Sequence, residues 1–272
     1  MVRLLTCIIY CGAILFAQSK EVSGPSIAAF SAKAEALIKS HQTIEALQEI
    51  RRMLDSYSGD PEAEFQAARL IEQLASLHFA ELERLAPDAA ETHLLLGKRY
   101  EAQGKLKEAL TEYQRAEAKS PNLPGLHFLI GNVHWKLHDF DAAAPELSAE
   151  VQLNANHAGA SFRLGSILLS RGEAERAIPL LEAAVRNEPD LLDARRELGK
   201  ALRHAGRLRE ALRELRVVAE RRPRDDSVHA QLALVYRALG QPERAKEELA
   251  IHENILKQKL AASQESFKQR QQ

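Results

Sequence analysis

The sequence predicts an all-α solenoid of tandem 34-residue helix-turn-helix units, and three observations carry that prediction. Small residues recur at a fixed period: Gly97, Gly131, Gly165, Gly199 and Ala233 form one series, and Ala109, Ala143, Ala177, Ala211 and Ala245 a second. Turn and breaker residues keep the same phase. Gly104, Gly172, Gly206 and Gly240 form one such series with His138 in its gap; Pro121, Pro189 and Pro223 form another, interrupted by Ala155. Composition agrees, because aromatics are only 5% while Ala, Leu, Glu and Arg dominate, and these side chains lose little freedom in a helix. A period of this length marks a repeat array, in which each unit's apolar face is covered by its neighbour.

The first segment lies outside that array. Arg3 is followed by an uncharged apolar run over residues 4–16 that ends near Ala17-Gln18-Ser19. A basic start, a short apolar stretch and small residues at its end describe a secretory signal peptide over 1–19, cleaved after Ala17 or after Ser19. The run is short of the ~20 residues that span a bilayer, so an uncleaved anchor is the lesser alternative. Cys7 and Cys11 both fall inside it, and Tyr10 stands where a lipoprotein signal wants a small residue. The mature chain is therefore expected to lack thiols, disulfides and thiolate metal sites. Export to the periplasm or beyond is the expected localisation, with membrane contact only through an uncleaved signal.

Residues 20–89 are expected to form a helical cap and a degenerate repeat. Helices are predicted over 27–39 and 43–57, followed by one long helix over 61–85 with Asp60 as its cap and Pro61 in its first turn. Ala75, Phe79 and Pro87 lie one period before Ala109, Tyr113 and Pro121, but Leu70 stands where the turn glycine belongs. Five regular units follow over 90–253. In each, the first glycine and the alanine of the second helix are small where two helices cross closely. The second glycine ends the first helix in a left-handed conformation, and proline closes the unit. Pro242 starts a last helix expected to reach about Ala262. It opens the extension and polar tail over 254–272, whose end from Ser263 is expected to fray.

The unit from Thr92 to Pro121 carries Leu96-Gly97, Tyr100, Gly104, Ala109, Tyr113, Ala116 and Pro121, and with these residues the chain resembles the tetratricopeptide repeat (TPR) family. The resemblance implies a right-handed superhelix whose first helices line a concave groove. It also implies which residues face that groove. They are Phe128, Asn132, Trp135 and Lys136 in one unit, and Phe162, Ser166 and Leu169 in the next. Arg196, Lys200, Arg203 and His204 follow, and Arg237 comes last. The groove is thus expected to pass from an aromatic to a basic half. Two readings stay open: a peptide groove with aromatic anchors and a basic stripe, or core aromatics beside a solvated charged face. Of the lysine, asparagine and arginine set with which some family members grip a terminal carboxylate, only fragments are present.

Other chemistry finds little support. A formal net charge of −1 gives no global attraction to nucleic acid. Residues 193–224 do carry eleven Arg and Lys against five Asp and Glu, a local +6, but without interleaved aromatics. Arg209, Arg213 and Arg216 of that run fall on a second helix, hence on the convex side. His134 and His138 are one turn apart and His127 lies two turns earlier, yet His134 takes the packing place of Tyr100 and His138 a turn place. Even with Asp139 and Asp141 nearby, no metal site is assigned. His93, His127 and His229 share one repeat position, which is read as packing. With no phosphate loop, nucleophile elbow or zinc-protease motif, no catalytic residue and no cofactor are expected. The expected role is a non-enzymatic interaction scaffold of the cell envelope that binds a protein or peptide. The alternatives are a binder of an anionic polymer through the basic stripe, and self-association through terminal helices.

Overall fold

The computed structural model describes residues 24–270, so the apolar leader with Cys7 and Cys11 lies outside the described residues. Thirteen helices and no strand occur among the described residues. The chain divides after Ala86 into two compact units.

The first unit holds α1 (Ile27–Lys39), α2 (Thr43–Ser56) and α3 (Pro61–Leu85), all three in mutual contact. Asp60 caps α3, its carboxylate accepting from the amides of Glu62 and Ala63 at 2.8 and 3.3 Å. No glycine interrupts α3, and Leu70 is wholly buried where a regular repeat would turn. The helix therefore runs straight through its 25 residues, as the sequence predicts. Phe30, Ile50, Met53, Leu70 and Leu74 form its core with small Ala34, Ala46, Ala63 and Ala67 between the helices.

The second unit is five helical hairpins: α4 (Ala90–Ala102) with α5 (Leu106–Lys119), α6 (Leu126–Lys136) with α7 (Phe140–Leu153), α8 (Ala158–Ser170) with α9 (Ala174–Asn187), α10 (Leu192–His204) with α11 (Leu208–Arg221), and α12 (Asp226–Ala238) with α13 (Pro242–Arg270). Each second helix packs on its own first helix and on the first helix of the next hairpin. The first helices α6, α8, α10 and α12 also touch in series. This is an α-solenoid built by stacking.

The periodic glycines hold four of the five hairpins closed. A Cβ on Gly199 would stand 2.5 Å from Leu215 Cγ, and one on Gly97 2.4 Å from the Tyr113 ring. Tyr113, Leu147, Leu181 and Leu215 lie sixteen residues after the four glycines and are all wholly buried. Ala109, Ala143, Ala177 and Ala211 are equally inaccessible. At the hairpin turns Gly172 takes φ 80°, and His138 takes φ 60° in the matching place, a conformation costly for a side chain with a Cβ.

Two places depart from the sequence reading. The last helix does not end near Ala262 but continues to Arg270, 29 residues from Pro242. Residues 263–270 contain neither glycine nor proline, so nothing in them breaks the helix that Pro242 starts. Ala75 is exposed, unlike the alanines one or more periods later, because α3 has no first-helix partner folded back on it. On α13, Leu249 is 44% exposed at the position where Leu215 is wholly buried, and Leu256 and Leu260 extend the same exposed stripe. No helix among the described residues is long and apolar enough to cross a membrane.

Candidate functional site

The sequence-derived groove residues all lie on the series of first helices, and they divide into two regions of different character. Phe128 and Trp135 on α6 and Phe162 and Leu169 on α8 are half-buried, each resting one side against the core. Phe128 stacks on the His157 ring at 4.3 Å, with the Arg163 guanidinium 5.2 Å over its face. Its ring also fills the space over Gly159. Trp135 meets Phe140 edge to face at 5.1 Å. Ser166 turns its hydroxyl back onto the Phe162 carbonyl at 2.9 Å and so offers that site little.

A polar cluster borders these rings. Glu101 on α4 accepts from Asn132 Nδ2 at 2.8 Å and from Lys136 Nζ at 2.7 Å, while its other oxygen accepts from the Tyr113 hydroxyl at 2.8 Å. A carboxylate can only accept, so the Asn132 amide is fixed with Nδ2 toward Glu101. Its Oδ1 is buried and has no protein donor, a cost of about 1–3 kcal/mol. Burial, with the Glu101 hydrogen bond and charge, holds the Tyr113 phenol well above its usual range.

Two cations of the basic half, Arg196 and Lys200, are paired with carboxylates from within. Arg196 reaches Asp225 at 2.9 Å and Asp193 at 3.1 Å, with Glu197 at 3.7 Å. Burial alone disfavours its charge, but the Asp225 hydrogen bond and the three carboxylates outweigh that and raise its pKa. Lys200 pairs with the same Glu197 at 2.8 Å, and Arg203 donates to Gln231 at 3.2 Å. His204 sits 2.9 Å from an Arg203 nitrogen, and burial together with that charge lowers its pKa. Asp225 also caps α12, accepting from Ser227 and Val228 amides. Arg237 is exposed at the end of the row. A sequence count of cations thus overstates the field available to a ligand, since Asp193, Glu197 and Asp225 sit among them. Arg209, Arg213 and Arg216 are exposed on α11, apart from the first helices.

The shared histidine position carries more than packing, contrary to the sequence reading. His93, His127 and His229 each place Nδ1 2.7–2.8 Å from a glutamate nineteen residues on, Glu112, Glu146 and Glu248. Arg195 makes the same contact to Glu214 at 2.7 Å. His127 is not gathered with His134 and His138 but with Glu146 and Glu117, the only set of three metal-ligand side chains found together among the described residues. The repeated offset of nineteen between His or Arg and Glu is the signal that would have found these pairs.

Tandem helical hairpins stacked through their second helices, four of them closed by a glycine at the crossing, define an α-solenoid repeat protein. Three family profiles match it, a TPR repeat over residues 97–137 and two tetratricopeptide repeats over 128–191 and 168–234, together tiling 97–234, just over half of the 272 residues. The chain belongs to the tetratricopeptide repeat family. Among solved structures it is similar to YrrB, described as a TPR protein with an unusual peptide-binding site, with TM-score 0.60 and 21% identity over 65% of this chain and 91% of that one. It is also similar to MamA, with TM-score 0.56 and 19% identity over 63% and 94% of the two chains. MamA from Desulfovibrio magneticus RS-1 gives TM-score 0.56 and 22% identity over 62% and 96%. At these identities the likeness is one of fold. No curated protein matches the chain.

Proposed function

We propose that the protein is a non-enzymatic interaction scaffold that binds a peptide segment of a partner protein on its first-helix face, anchored in the α6–α8 region. One observation carries this reading. Phe128, Trp135, Phe162 and Leu169 keep apolar surface half open on two successive first helices, α6 and α8. Large apolar side chains held on rigid helices are what a docking anchor needs. YrrB, which shares the fold, is described as having a peptide-binding site, which supports peptide as the ligand class. The apolar run over residues 4–16 supports export, with the partner met in the cell envelope.

An anionic polymer is the weaker ligand. It would have to compete with Asp193, Glu197 and Asp225 for Arg196 and Lys200, and such pairs give way only against the cost of stranding the carboxylates.

Selection from a random peptide library tests the proposal. Peptides recovered on the wild-type chain should carry apolar or aromatic anchors and lose binding to Trp135→Ala and Phe162→Ala, while Arg237→Glu leaves them bound. Selected peptides that bind all of these folded variants equally would refute the α6–α8 groove as the site.

A further inference from the structure

His127 differs from its two repeat equivalents in what surrounds its ring. The second nitrogen of His93 faces Asp88 Oδ1 at 3.4 Å, and that of His229 faces the Pro223 carbonyl at 3.1 Å. Each of these two rings thus has one acceptor beside each of its nitrogens. His127 instead brings two carboxylates to one ring nitrogen, Nδ1. That Nδ1 lies 2.8 Å from Glu146 Oε2 and 3.5 Å from Glu117 Oε1. In the three later repeats the place of Glu117 is held by Val151, Val185 and Ala219, which cannot ligate.

We propose that Glu117 of α5, His127 of α6 and Glu146 of α7 form a binding site for a divalent transition-metal ion of the zinc class. The three ligand atoms lie within 4.8 Å of one another. Metal bonds of about 2.0–2.2 Å require tetrahedral ligands roughly 3.3 Å apart, so small side-chain rotations complete the set. All three residues are half-buried, which leaves the fourth position to water. One imidazole with two carboxylates suits zinc better than magnesium or calcium, which prefer oxygen alone. Ligation through Nδ1 uses the neutral ring with its proton on Nε2, so a proton on Nδ1 passes to Nε2, or to solvent if Nε2 already carries one.

The test is a calorimetric titration of the tag-free chain with Zn²⁺, with Cys7 and Cys11 changed to serine so that no thiolate competes. The wild-type site should take one ion. Glu117→Gln and His127→Gln should each weaken binding roughly tenfold or more, while His93→Gln leaves it unchanged. Co²⁺ should give visible absorption typical of four-coordination, lost in the same two variants. Glu117→Gln alters a surface-accessible oxygen and is expected to fold, so it decides the matter if His127→Gln does not. Absence of Zn²⁺ binding, or equal affinity in Glu117→Gln and wild type, overturns the proposal.

Discussion

The α6–α8 and α10–α12 regions of the first-helix row share one backbone plan and carry opposite kinds of side chain. In the first, Phe128, Trp135 and Phe162 are half-buried and keep part of their apolar surface open. In the second, Arg196, Lys200 and Arg203 find their partners inside the array, on the same helix or the next repeat. The contrast separates surplus from supply. A charge is readily satisfied by a neighbour one turn or one repeat away, whereas a half-open aromatic ring is satisfied only by something that arrives. Substitutions in the aromatic region should register in binding, and those in the basic region in stability.

The largest effects test what the two regions share. Gly199→Ala drives a methyl against Leu215 and should cost about 3 kcal/mol by chemical denaturation, the upper end for overpacking. Gly165→Ala, whose contact to Leu181 is longer at 2.8 Å, should cost less. Equal costs, or none, would mean that the hairpins do not close on these glycines. Next comes Trp135→Ala, expected to weaken a selected peptide by about 2 kcal/mol, roughly thirty-fold. On the basic side, Arg196→Gln should leave peptide affinity unchanged and lower stability by about 1 kcal/mol, because Asp193 and Asp225 lose their common partner. A loss of affinity without loss of stability there would reverse the comparison.

The smallest effects are on pH dependence. Glu210 has its pKa lowered, first by the Arg207 hydrogen bond, so the stability it contributes is present above its unfolded pKa and lost as pH falls through the folded one. Glu117 is the opposite case: its raised pKa means the ionised form is disfavoured in the fold, and the penalty fades as pH falls. In metal-free buffer at neutral pH, Glu117→Gln should therefore melt slightly above wild type. A lower melting temperature would show that Glu117 is held by contacts rather than strained by its neighbours.

Much of this architecture was legible from spacing alone. The glycine and alanine series marked every hairpin of the second unit, and Asp60-Pro61 with no later glycine marked the unbroken α3. What spacing concealed was pairing between repeats. Glu101 draws its partners from 31 and 35 residues away, and Arg196 finds Asp225 29 residues on, distances that become contacts only once hairpins stack. Counting charges along residues 193–224 suggested an open stripe because a net count does not show that Asp193, Glu197 and the adjoining Asp225 pair directly with Arg196 and Lys200. The Glu117–His127–Glu146 set was hidden because its members come from three successive helices. The end of α13 was misjudged because polarity was read as fraying, although its residues are good helix formers.

Trp135 is the only tryptophan of the chain, so its fluorescence reports on the aromatic region alone. Titration of a library-selected peptide, followed through that emission at low and at high salt, measures the central claim. A saturable blue shift whose midpoint is little changed by salt is the predicted result, as expected for apolar anchoring beside already paired charges. Binding that leaves Trp135 unmoved and weakens steeply with salt would contradict the account and place the ligand on the basic half.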